Sequence, residues 1–311
     1  YFPQKKILII KFGGLGDVIL SLGAIFSIYN HHKCRMVLLT EEPFDKFLNK
    51  SNWFCEIVTI KRKIFYFLDF HQIREKINCS DFDFVYDLQT SNRTANYLKL
   101  FFDTKAITNG IGRFAKIIHV QKNRNLMHTL DRQKDQIKLS QIKYKCKNFK
   151  WLFESKFNIP KRKYVMIVPG GSRNRKNKRI PQEIYLKVIN VLIKAGLEIL
   201  IMGSKDDEKI CREIEKNFPT VKNLCDKTDL FDLGKLSKNS FLSIGNDTGP
   251  MHLIAKGGND VLVLFTKFSN PDLCKPIGKR VTILTYENDK VKLLNEIILK
   301  LKKKIKFVNE D

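Results

Sequence analysis

The feature that most constrains the fold is an alternation of strand-like and helix-like segments, and it runs through the chain twice. One series of short apolar segments occupies residues 6–108, and a second series starts at residue 164. A helix between two strands carries the chain back to the same end of the sheet, so this alternation produces parallel strands with right-handed crossovers. The sequence therefore predicts an α/β protein made of two Rossmann-like domains.

Apolar patterns bound the predicted elements. Strands are predicted at residues 6–11, 35–39, 57–60, 84–87, 106–108, 164–168, 198–202, 241–244, 261–265 and 281–284. Helices are predicted near residues 17–30, 43–50, 65–77, 91–102, 133–153, 182–195, 205–217, 229–238, 250–257 and 289–305. An Asn-Ile-Pro sequence and a basic run at 157–163 indicate a boundary between domains 1–160 and 161–311. The active site is expected in a cleft between these domains, beyond the carboxyl ends of the strands.

Composition narrows the class of partner and the compartment. The formal net charge of +25 indicates anionic partners, but the basic residues are spread along the chain without a nucleic-acid-binding motif, so no nucleic acid is expected. Seven scattered cysteines form no CxxC pair, which argues against a zinc site and favours a reducing compartment. No apolar run is long enough to span a bilayer. The chain, which does not begin with Met, enters a strand pattern without a leader, and we predict a cytoplasmic protein.

A glycine-rich turn over residues 11–17 (KFGGLGD) follows the first strand. Glycine lets backbone N–H groups approach an anion closely, and the N-terminus of the following helix favours negative charge. The GGxG spacing matches neither the dinucleotide-binding pattern nor a Walker loop. Asp17 is the N-cap of this helix, a catalytic carboxylate that faces the cleft, or both at once. Lys11 is either a solvated strand end or a positive group for a substrate anion.

Two segments of the second half lie where a Rossmann-like domain binds a nucleotide. Residues 168–172 (VPGGS) form a loop of small residues after a strand, and Lys178 follows in a basic stretch. This combination suits the oxygens of a phosphate group, with Gly171 and Ser172 as loop contacts. Residues 202–207 (MGSKDD) form a strand, a turn and a helix start, whose acidic residue either meets a ribose hydroxyl or stabilises the helix terminus.

The strongest pattern of the second half is the segment 243–252 (SIGNDTGPMH). A strand ends, small residues turn the chain, and Pro250 marks the first turn of a helix. Thr248 and Gly249 would offer backbone N–H groups to a diphosphate, and His252 lies within the same first turn. A lone histidine on a helix is usually only packed or capped, but the small polar residues beside it favour a functional role.

With these segments in order, the chain resembles the heptosyltransferases of glycosyltransferase family nine. The resemblance covers most of the chain and depends on Gly16-Asp17, on residues 178–181 (KRIP) and on residues 247–252 (DTGPMH). Residues 87–89 (DLQ) and 128–132 (HTLDR) support it. The resemblance implies a GT-B fold, an ADP-activated heptose donor and a lipid-anchored inner-core saccharide of lipopolysaccharide as acceptor. No cofactor and no metal ion are expected.

The resemblance also implies roles for individual residues. Asp17 is the general base that takes the proton of the acceptor hydroxyl in an inverting transfer, and Lys178 binds the diphosphate. The donor-binding residues are predicted to be Gly171, Ser172, Lys178, Asp247, Thr248, Gly249 and His252. The acceptor-binding residues are predicted to be Lys11, Gly14, Gln89 and Arg93. Two departures on the donor side, Ile180 for a usual tryptophan and residues 265–267 (FTK) for Gly-Pro-Thr, leave the identity of the sugar open.

Three other interpretations compete with the transferase. A nicotinamide-dependent oxidoreductase needs the dinucleotide glycine spacing, which the first turn lacks. A nucleic-acid binder is suggested by charge alone. A sugar-nucleotide epimerase of the same architecture stays open, because it would differ chiefly in needing no acceptor. The Asp-x-Asp at residues 81–83 opens an alternating strand, so its carboxylates are predicted to face solvent rather than to hold a metal ion.

The C-terminal segment supports two hypotheses. Apolar residues recur at helical spacing between residues 294 and 305, with lysines around them. The first hypothesis is a closing helix that packs on the fold. The second is that its basic face also holds the enzyme against an anionic surface, as a peripheral protein at the inner membrane.

Overall fold

A computed structural model describes residues 5–147, 149–171 and 175–309 of the chain. The chain divides into two compact units, unit 1 (Tyr1–Asn148) and unit 2 (Phe149–Asp311). Each unit contains a parallel six-stranded sheet, and helices follow most of its strands. The predicted α/β class with two Rossmann-like sheets is therefore confirmed.

Unit 1 has its strands in the order β3-β2-β1-β4-β5-β6. Its strands are β1 (Ile7–Ile10), β2 (Met36–Thr40), β3 (Phe54–Thr59), β4 (Phe84–Asp87), β5 (Ile107–Gly110) and β6 (Ile117–Ile118). Its helices are α1 (Leu15–His32), α2 (Phe44–Asn49), α3 (Phe67–Lys76), α4 (Asn92–Tyr97) and α5 (Thr129–Lys138). The chain turns from one side of the sheet to the other between β1 and β4, and open α/β sheets bind ligands beside such a switch point.

Unit 2 repeats this order, as β12-β11-β10-β7-β8-β9, so that β7 and β10 take the places of β1 and β4. Its strands are β7 (Tyr164–Val168), β8 (Glu198–Ile201), β9 (Lys222–Asn223), β10 (Leu242–Asn246), β11 (Asp260–Thr266) and β12 (Arg280–Tyr286). Its helices are α6 (Gln182–Lys194), α7 (Glu208–Asn217), α8 (Leu230–Asn239), α9 (Gly249–Lys256), α10 (Pro271–Cys274) and α11 (Lys290–Asn309). The second switch point therefore lies at the carboxyl ends of β7 and β10.

Burial explains the apolar strands that the sequence shows. All four residues of β1 and all five of β7 are buried, because the helices of a parallel sheet cover both of its faces. Helix α11 buries Leu293, Ile297 and Leu301, which recur along one face, and this confirms that the C-terminal segment packs on the fold. Among the described residues, no helix combines the length and apolar character that crossing a bilayer would require.

The boundary between the units lies at residues 148 and 149 rather than at 160 and 161. The residues just before the predicted boundary pack on α8. The Trp151 ring lies 6.4 Å from the Phe231 ring, and a Cβ atom on Gly234 would come within 2.0 Å of the Leu152 carbonyl oxygen. These contacts attach residues 149–153 to unit 2, which apolar periodicity alone did not reveal.

The helix predicted over residues 133–153 is wrong. Helix α5 ends at Lys138, Gln141 takes a positive φ of 58°, and the next helical residues form a short 3₁₀ turn, Lys150–Phe153. The chain between them follows α1, where the Lys145 N–H donates to Ser27 Oγ at 2.8 Å. The short elements β6, β9 and α10 were not predicted, because two to four residues do not make a period that can be recognised.

Candidate functional site

The first candidate site lies at the switch point of unit 1, where β1 leads into the glycine turn and α1. Gly14 is the N-cap residue of α1, so the helix begins without a side-chain cap. Asp17 lies three residues later, in the first helical turn, and its side chain is exposed. The N-cap hypothesis for Asp17 is therefore wrong. The space around Gly14 is open, since a Cβ atom there would meet nothing within 4 Å. The turn is held at Gly13, whose N–H donates to Glu41 Oε1 at 3.0 Å.

Lys11 is a buried cation at the end of β1, with only 2% of its surface exposed. Its Nζ donates to Gln89 Oε1 at 3.0 Å, and the same oxygen accepts the Phe12 N–H at 3.2 Å. Burial lowers the pKa of Lys11, whereas the nearby charges of Asp17 and Asp87 raise it. The hypothesis of a solvated strand end is wrong, and two predicted acceptor residues, Lys11 and Gln89, lie in contact.

Asp87, at the end of β4, is a buried carboxylate that was not predicted as a site residue. Its Oδ1 accepts the N–H groups of Gln89 and Thr90, each at 3.0 Å. Its Oδ2 is buried and has no hydrogen-bond partner within the described residues. Burial raises the pKa of Asp87 to about 6, although those backbone hydrogen bonds oppose the rise. The available signal was an acidic residue at the end of an apolar strand.

Two arginines add positive charge beside the Lys11–Asp87 group, Arg124 near Asp87 and Arg132 near Lys11. Burial lowers the pKa of Arg124, the charge of Arg132 lowers it further, and the charge of Asp87 opposes both. Arg124 Nε donates to His119 Nδ1 at 3.1 Å. In the part of the chain that the structure describes, Arg124 Nη2 and Arg132 Nε are buried without a hydrogen-bond partner. Buried donors of this kind are usually satisfied by a ligand or by water, so this edge of unit 1 is suited to an anion.

Arg93, the remaining predicted acceptor residue, is occupied within unit 1. Its Nε donates to Asp69 Oδ2 at 2.7 Å and its Nη2 donates to the carbonyl oxygen of Lys63. Asp69 is fully buried and also accepts the hydroxyl of Tyr97. These contacts give Arg93 a structural role in holding the segment between β3 and α3, and its contact with an acceptor stays a prediction.

In unit 2, the loop after β7 is fixed by Asp207. The Gly171 N–H donates to Asp207 Oδ1 at 3.0 Å, and Arg179 donates to the Gly171 carbonyl oxygen at 2.8 Å. A Cβ atom on Gly170 would lie 2.1 Å from the carboxyl carbon of Asp207, so the loop requires glycine there. Asp207 Oδ2 accepts from the backbone and hydroxyl of Ser204. The helix-terminus interpretation therefore holds for Asp207, while the predicted Ser172 lies outside the described residues.

Lys178 and Asp247 form an ion pair at the carboxyl edge of unit 2. Lys178 Nζ donates to Asp247 Oδ2 at 2.6 Å and to Ser269 Oγ at 2.9 Å, and Ser269 Oγ donates to the same carboxylate oxygen at 2.6 Å. The two charged side chains are 16% and 5% exposed. The structure thus brings two predicted donor residues together and adds Ser269, which the sequence did not suggest.

The N-terminus of α9 completes this edge. Thr248 is its N-cap residue but makes no side-chain cap, and Thr248 Oγ1 is buried without a hydrogen-bond partner in the described parts of the chain. Gly249 begins the helix, and His252 is buried in the first turn. A Cβ atom on Gly171 would lie 2.9 Å from Thr248 Cγ2, so the loop after β7 touches the helix N-terminus.

Asn246 connects the segments that carry these residues. Its Nδ2 donates to the carbonyl oxygens of Pro169 and Gly170, at 2.7 and 2.9 Å. Its Oδ1 accepts the Tyr185 hydroxyl at 2.6 Å and the Ile180 N–H at 3.3 Å. Ile180 itself is a core residue, 2% exposed. Asn246 was not predicted as a site residue, although an amide beside two glycine turns was a usable signal.

The two carboxylates of the Asp-x-Asp sequence, Asp81 and Asp83, form hydrogen bonds and ion pairs with lysines. In residues 5–147, 149–171 and 175–309, there is no group of three or more His, Cys, Asp or Glu side chains with the geometry of a metal site. Asp81 accepts from Lys6 Nζ at 3.2 Å, and Asp83 accepts the Lys6 N–H at 2.9 Å and pairs with Lys105 at 3.0 Å. Both carboxylates therefore serve the amino-terminal edge of the sheet in unit 1.

Comparisons with known proteins agree with this architecture. Residues 70–300 match the family described as glycosyltransferase family 9 (heptosyltransferase). Lipooligosaccharide heptosyltransferase 2 of Campylobacter jejuni (serotype O:2) is 26% identical over 278 residues, 82% of this chain and 79% of that protein. The enzyme of the same name from Haemophilus influenzae is 30% identical over 112 residues, which span 34% of this chain and only 32% of the relative.

Among solved structures, E. coli heptosyltransferase WaaC with ADP has a TM-score of 0.77 to this chain. The alignment is 18% identical and covers 96% of this chain and 99% of that one, which establishes a shared fold. Together with the two parallel six-stranded sheets, this likeness confirms the predicted GT-B class.

Proposed function

The chain belongs to glycosyltransferase family 9, and from this premise we propose that it transfers a heptose, or a closely related sugar, from an ADP-activated donor to a lipid-anchored saccharide of the lipopolysaccharide core. The observation that carries the donor half is the meeting of three features in unit 2: the glycine loop after β7, the N-terminus of α9 and the Lys178 ammonium. Each of them is suited to the oxygens of a diphosphate.

Helix α9 supports this role because its first turn contains no acidic residue. The positive end of its dipole and its first N–H groups would therefore act on a bound phosphate without a competing carboxylate in that turn. The structure of E. coli heptosyltransferase WaaC, which shares this fold, contains ADP, and this favours adenosine as the nucleoside of the donor.

Lys178 supports the same role through its unused donor capacity. An ammonium group has three N–H donors, and two of them are directed at Asp247 and Ser269. The third is left for a phosphate oxygen. The ion pair with Asp247 also fixes the position of Nζ, so little reorganisation is needed when the diphosphate departs with negative charge.

Asp17 is the proposed general base. It is exposed, it stands in the first turn of α1, and it does not cap the helix. In the proposed reaction the acceptor hydroxyl gives its proton to the Asp17 carboxylate while its oxygen bonds to the anomeric carbon. The bond from that carbon to the β-phosphate oxygen breaks, ADP leaves with the electron pair, and the anomeric configuration inverts.

The buried cations of unit 1 suit an anionic acceptor. Lys11 and Arg124 lie near Asp87, and Arg132 lies near both of these cations. One nitrogen atom of each arginine lacks a partner in the described residues. Phosphate or carboxylate groups on the acceptor saccharide would satisfy such donors.

The test combines binding and turnover. We expect ADP to raise the melting temperature more than UDP, GDP or NAD, because only ligands that prefer the native state stabilise it. ADP-heptose should then release ADP only when a core-saccharide acceptor is added. Turnover without any acceptor would favour the epimerase, and equal stabilisation by all four nucleotides would contradict the donor assignment.

Metal dependence is tested in the same assay. We propose that Lys178 and the α9 terminus neutralise the leaving diphosphate, so turnover should persist in excess EDTA. Loss of turnover that Mg²⁺ or Mn²⁺ restores would overturn this part of the mechanism.

A further inference from the structure

Five consecutive large apolar residues of unit 1 are exposed to solvent. They are Ile64, Phe65, Tyr66, Phe67 and Leu68, which we call the apolar tip, and their exposed fractions run from 91% at Ile64 to 42% at Tyr66. The tip lies between β3 and α3 and includes the first two residues of α3. Contiguous exposed apolar residues usually mark a surface that binds another molecule.

The base of the apolar tip is held by hydrogen bonds. Buried Asp69 accepts the Lys63 N–H at 2.9 Å and is itself fixed by Arg93. The Gln72 side chain also holds Lys61: its Oε1 accepts the Lys61 N–H at 3.2 Å, and its Nε2 donates to the Lys61 carbonyl oxygen at 3.0 Å. The apolar side chains are therefore presented by a folded support.

The same support reaches the candidate site of unit 1. An aromatic series runs from Tyr66 to Phe70, Tyr97 and Phe12, with ring centroids 5.8, 6.1 and 6.2 Å apart. Phe12 directly precedes the Gly13–Gly14 turn, so the apolar tip belongs to the edge of the sheet that carries Asp17.

Positive charge flanks the apolar tip. Arg62 is used internally, since it pairs with Glu41 and its guanidinium lies 5.2 Å from the centre of the Phe12 ring. Lys61 and Lys63 are exposed. Exposed aromatic and aliphatic side chains with adjacent lysines suit the headgroup region of an anionic bilayer, where apolar groups enter the acyl boundary and ammonium groups meet phosphates.

We propose that the apolar tip inserts into the interfacial region of an anionic lipid bilayer, with Lys61 and Lys63 against the lipid phosphates. The inference rests on the proposed function in one respect, because a lipid-anchored acceptor gives such contact a purpose. Insertion would bring the Asp17 edge of unit 1 to the membrane surface.

The C-terminal helix is a weaker candidate for this contact. Its apolar face is buried in unit 2, and Lys290, Lys292 and Lys304 are paired with Glu183, Glu287 and Asp260. An amphipathic helix that already packs on its own core has less apolar surface for lipid.

Flotation of the full chain with vesicles tests the proposal without donor or acceptor. Vesicles of phosphatidylethanolamine and phosphatidylglycerol should bind the wild type, and vesicles of phosphatidylcholine should bind it less. The double variant Phe65→Ser/Phe67→Ser should bind the anionic vesicles at least about tenfold more weakly. Lys61→Gln/Lys63→Gln should weaken binding and remove much of its salt dependence.

Matched control variants lie on α11. Val291 and Leu299 are also exposed, so Val291→Ser/Leu299→Ser likewise replaces two exposed apolar side chains, and Lys302→Gln/Lys303→Gln removes the same charge. Both controls should bind vesicles as the wild type does. Vesicle binding that is lost in these controls and kept in Phe65→Ser/Phe67→Ser would overturn the proposal.

A third measurement separates lipid from protein partners. The Trp emission of Phe65→Trp should shift to the blue when vesicles are added and should be quenched by brominated acyl chains. A change of oligomeric state in Phe65→Ser/Phe67→Ser, with vesicle binding unchanged, would make the apolar tip a contact between protein chains and overturn the proposal.

Failure of this inference can be told apart from failure of the proposed function. The Phe65→Ser/Phe67→Ser enzyme should turn over a delipidated acceptor saccharide at the wild-type rate and should be slower only with acceptor embedded in vesicles. If the wild type transfers sugar and the variant is as fast as the wild type on both the delipidated and the vesicle-embedded acceptor, the proposed function stands and the membrane contact does not.

Discussion

The two units share one strand order but treat charge differently at their switch points. In unit 2 the charged groups are paired with one another, Lys178 with Asp247 and Arg179 with Asp207. Within the described residues of this edge, Arg179 Nε and Thr248 Oγ1 are nevertheless buried without a hydrogen-bond partner. In unit 1, buried polar atoms of Asp87, Arg124 and Arg132 lack partners within the described residues, and Asp17 is exposed. The same strand order thus carries charged groups that form ion pairs in unit 2 and charged groups that do not in unit 1.

The difference suggests a division of labour. A paired edge keeps its geometry without ligand, which suits the repeated binding of one constant group such as a diphosphate. An edge whose buried charged groups lack ion-pair partners gains more when a ligand supplies the missing partners. The stability of unit 1 should therefore depend on pH and on bound acceptor. The stability and ADP affinity of unit 2 should depend on the residues that form its ion pairs.

The largest effect is expected at Asp17. Asp17→Asn removes the proton acceptor, so turnover should fall by roughly 10²–10⁴-fold while ADP affinity stays unchanged. Because Gly14 is the N-cap, the free energy of unfolding should fall only by the small helix-dipole contribution of one carboxylate, about 0.3–1 kcal/mol. Glu208→Gln, a neutralised acid in the first turn of α7, is the matched control and should keep full turnover. An Asp17→Asn enzyme as fast as the wild type would end the catalytic assignment.

The next effect concerns Lys178 in unit 2. Lys178→Ala should raise the dissociation constant of ADP about tenfold to a hundredfold, because a hydrogen bond to a charged group is lost. Calorimetric titration measures it. Lys176→Ala changes an exposed lysine of the same 3₁₀ turn, and Lys11→Gln changes a buried lysine of unit 1; neither should affect ADP. Equal ADP affinity in Lys178→Ala and the wild type would remove Lys178 from the donor site.

Alanine substitutions in the two glycine turns should have unequal costs. Gly170→Ala would drive a Cβ atom into the Asp207 carboxylate, so we expect destabilisation near the upper end of about 1–3 kcal/mol. Gly14→Ala meets open space and should cost less than about 1 kcal/mol, the loss of a glycine N-cap. Urea unfolding of both variants measures the contrast. Similar midpoints would mean that the loop after β7 is less constrained than its contacts indicate.

The smallest effect distinguishes two carboxylates at opposite ends of β4. The pKa of Asp87 is raised from 3.8 to about 6, so the native state holds its proton more tightly than the unfolded state. The free energy of unfolding should therefore fall between pH 4 and pH 7, by about 1–3 kcal/mol, relative to Asp87→Asn.

Asp83 provides the opposite sign. Hydrogen bonding to the Lys6 backbone is the main cause that lowers the pKa of Asp83, so its contribution to stability is present at neutral pH and is lost as the pH falls below 4. Relative to Asp87→Asn, the free energy of unfolding of the wild type should fall as the pH rises from about 4 to about 7; relative to Asp83→Asn, it should fall as the pH drops below about 4. Parallel curves would mean that Asp87 is not buried as a carboxylate.

Local pattern was sufficient for the sheets and for part of the site. Buried strands such as β1 and β7 are continuous apolar runs, and the small residues at Gly171 and Gly249 mark the ends of strands, so their positions follow from sequence. Lys178 and Asp247 were each predicted. Their pairing was not, because it joins positions far apart in the chain and depends on how β10 lies beside β7.

What the sequence could not supply is burial. Asp87 ends an apolar strand and Asp17 follows the turn after another one, so their sequence contexts are similar. Asp17 is nevertheless exposed, whereas Asp87 is inaccessible to water. Most of the exposed run at 64–68 falls in the helix predicted near residues 65–77, and a helical pattern does not say whether anything covers the helix. Residues 139–147 likewise fell within a predicted helix without being helical.

The side chain of Asn246 limits which amino acid can occupy its position. It gives two hydrogen bonds to main-chain carbonyls and receives one from a hydroxyl and one from a main-chain N–H. Aspartate would direct a carboxylate at the carbonyl oxygens of Pro169 and Gly170, and leucine would leave all four groups unpaired. A library randomised at this codon and selected only for folding should therefore return asparagine, so invariance there would report on the stability of the loops and not on contact with a substrate.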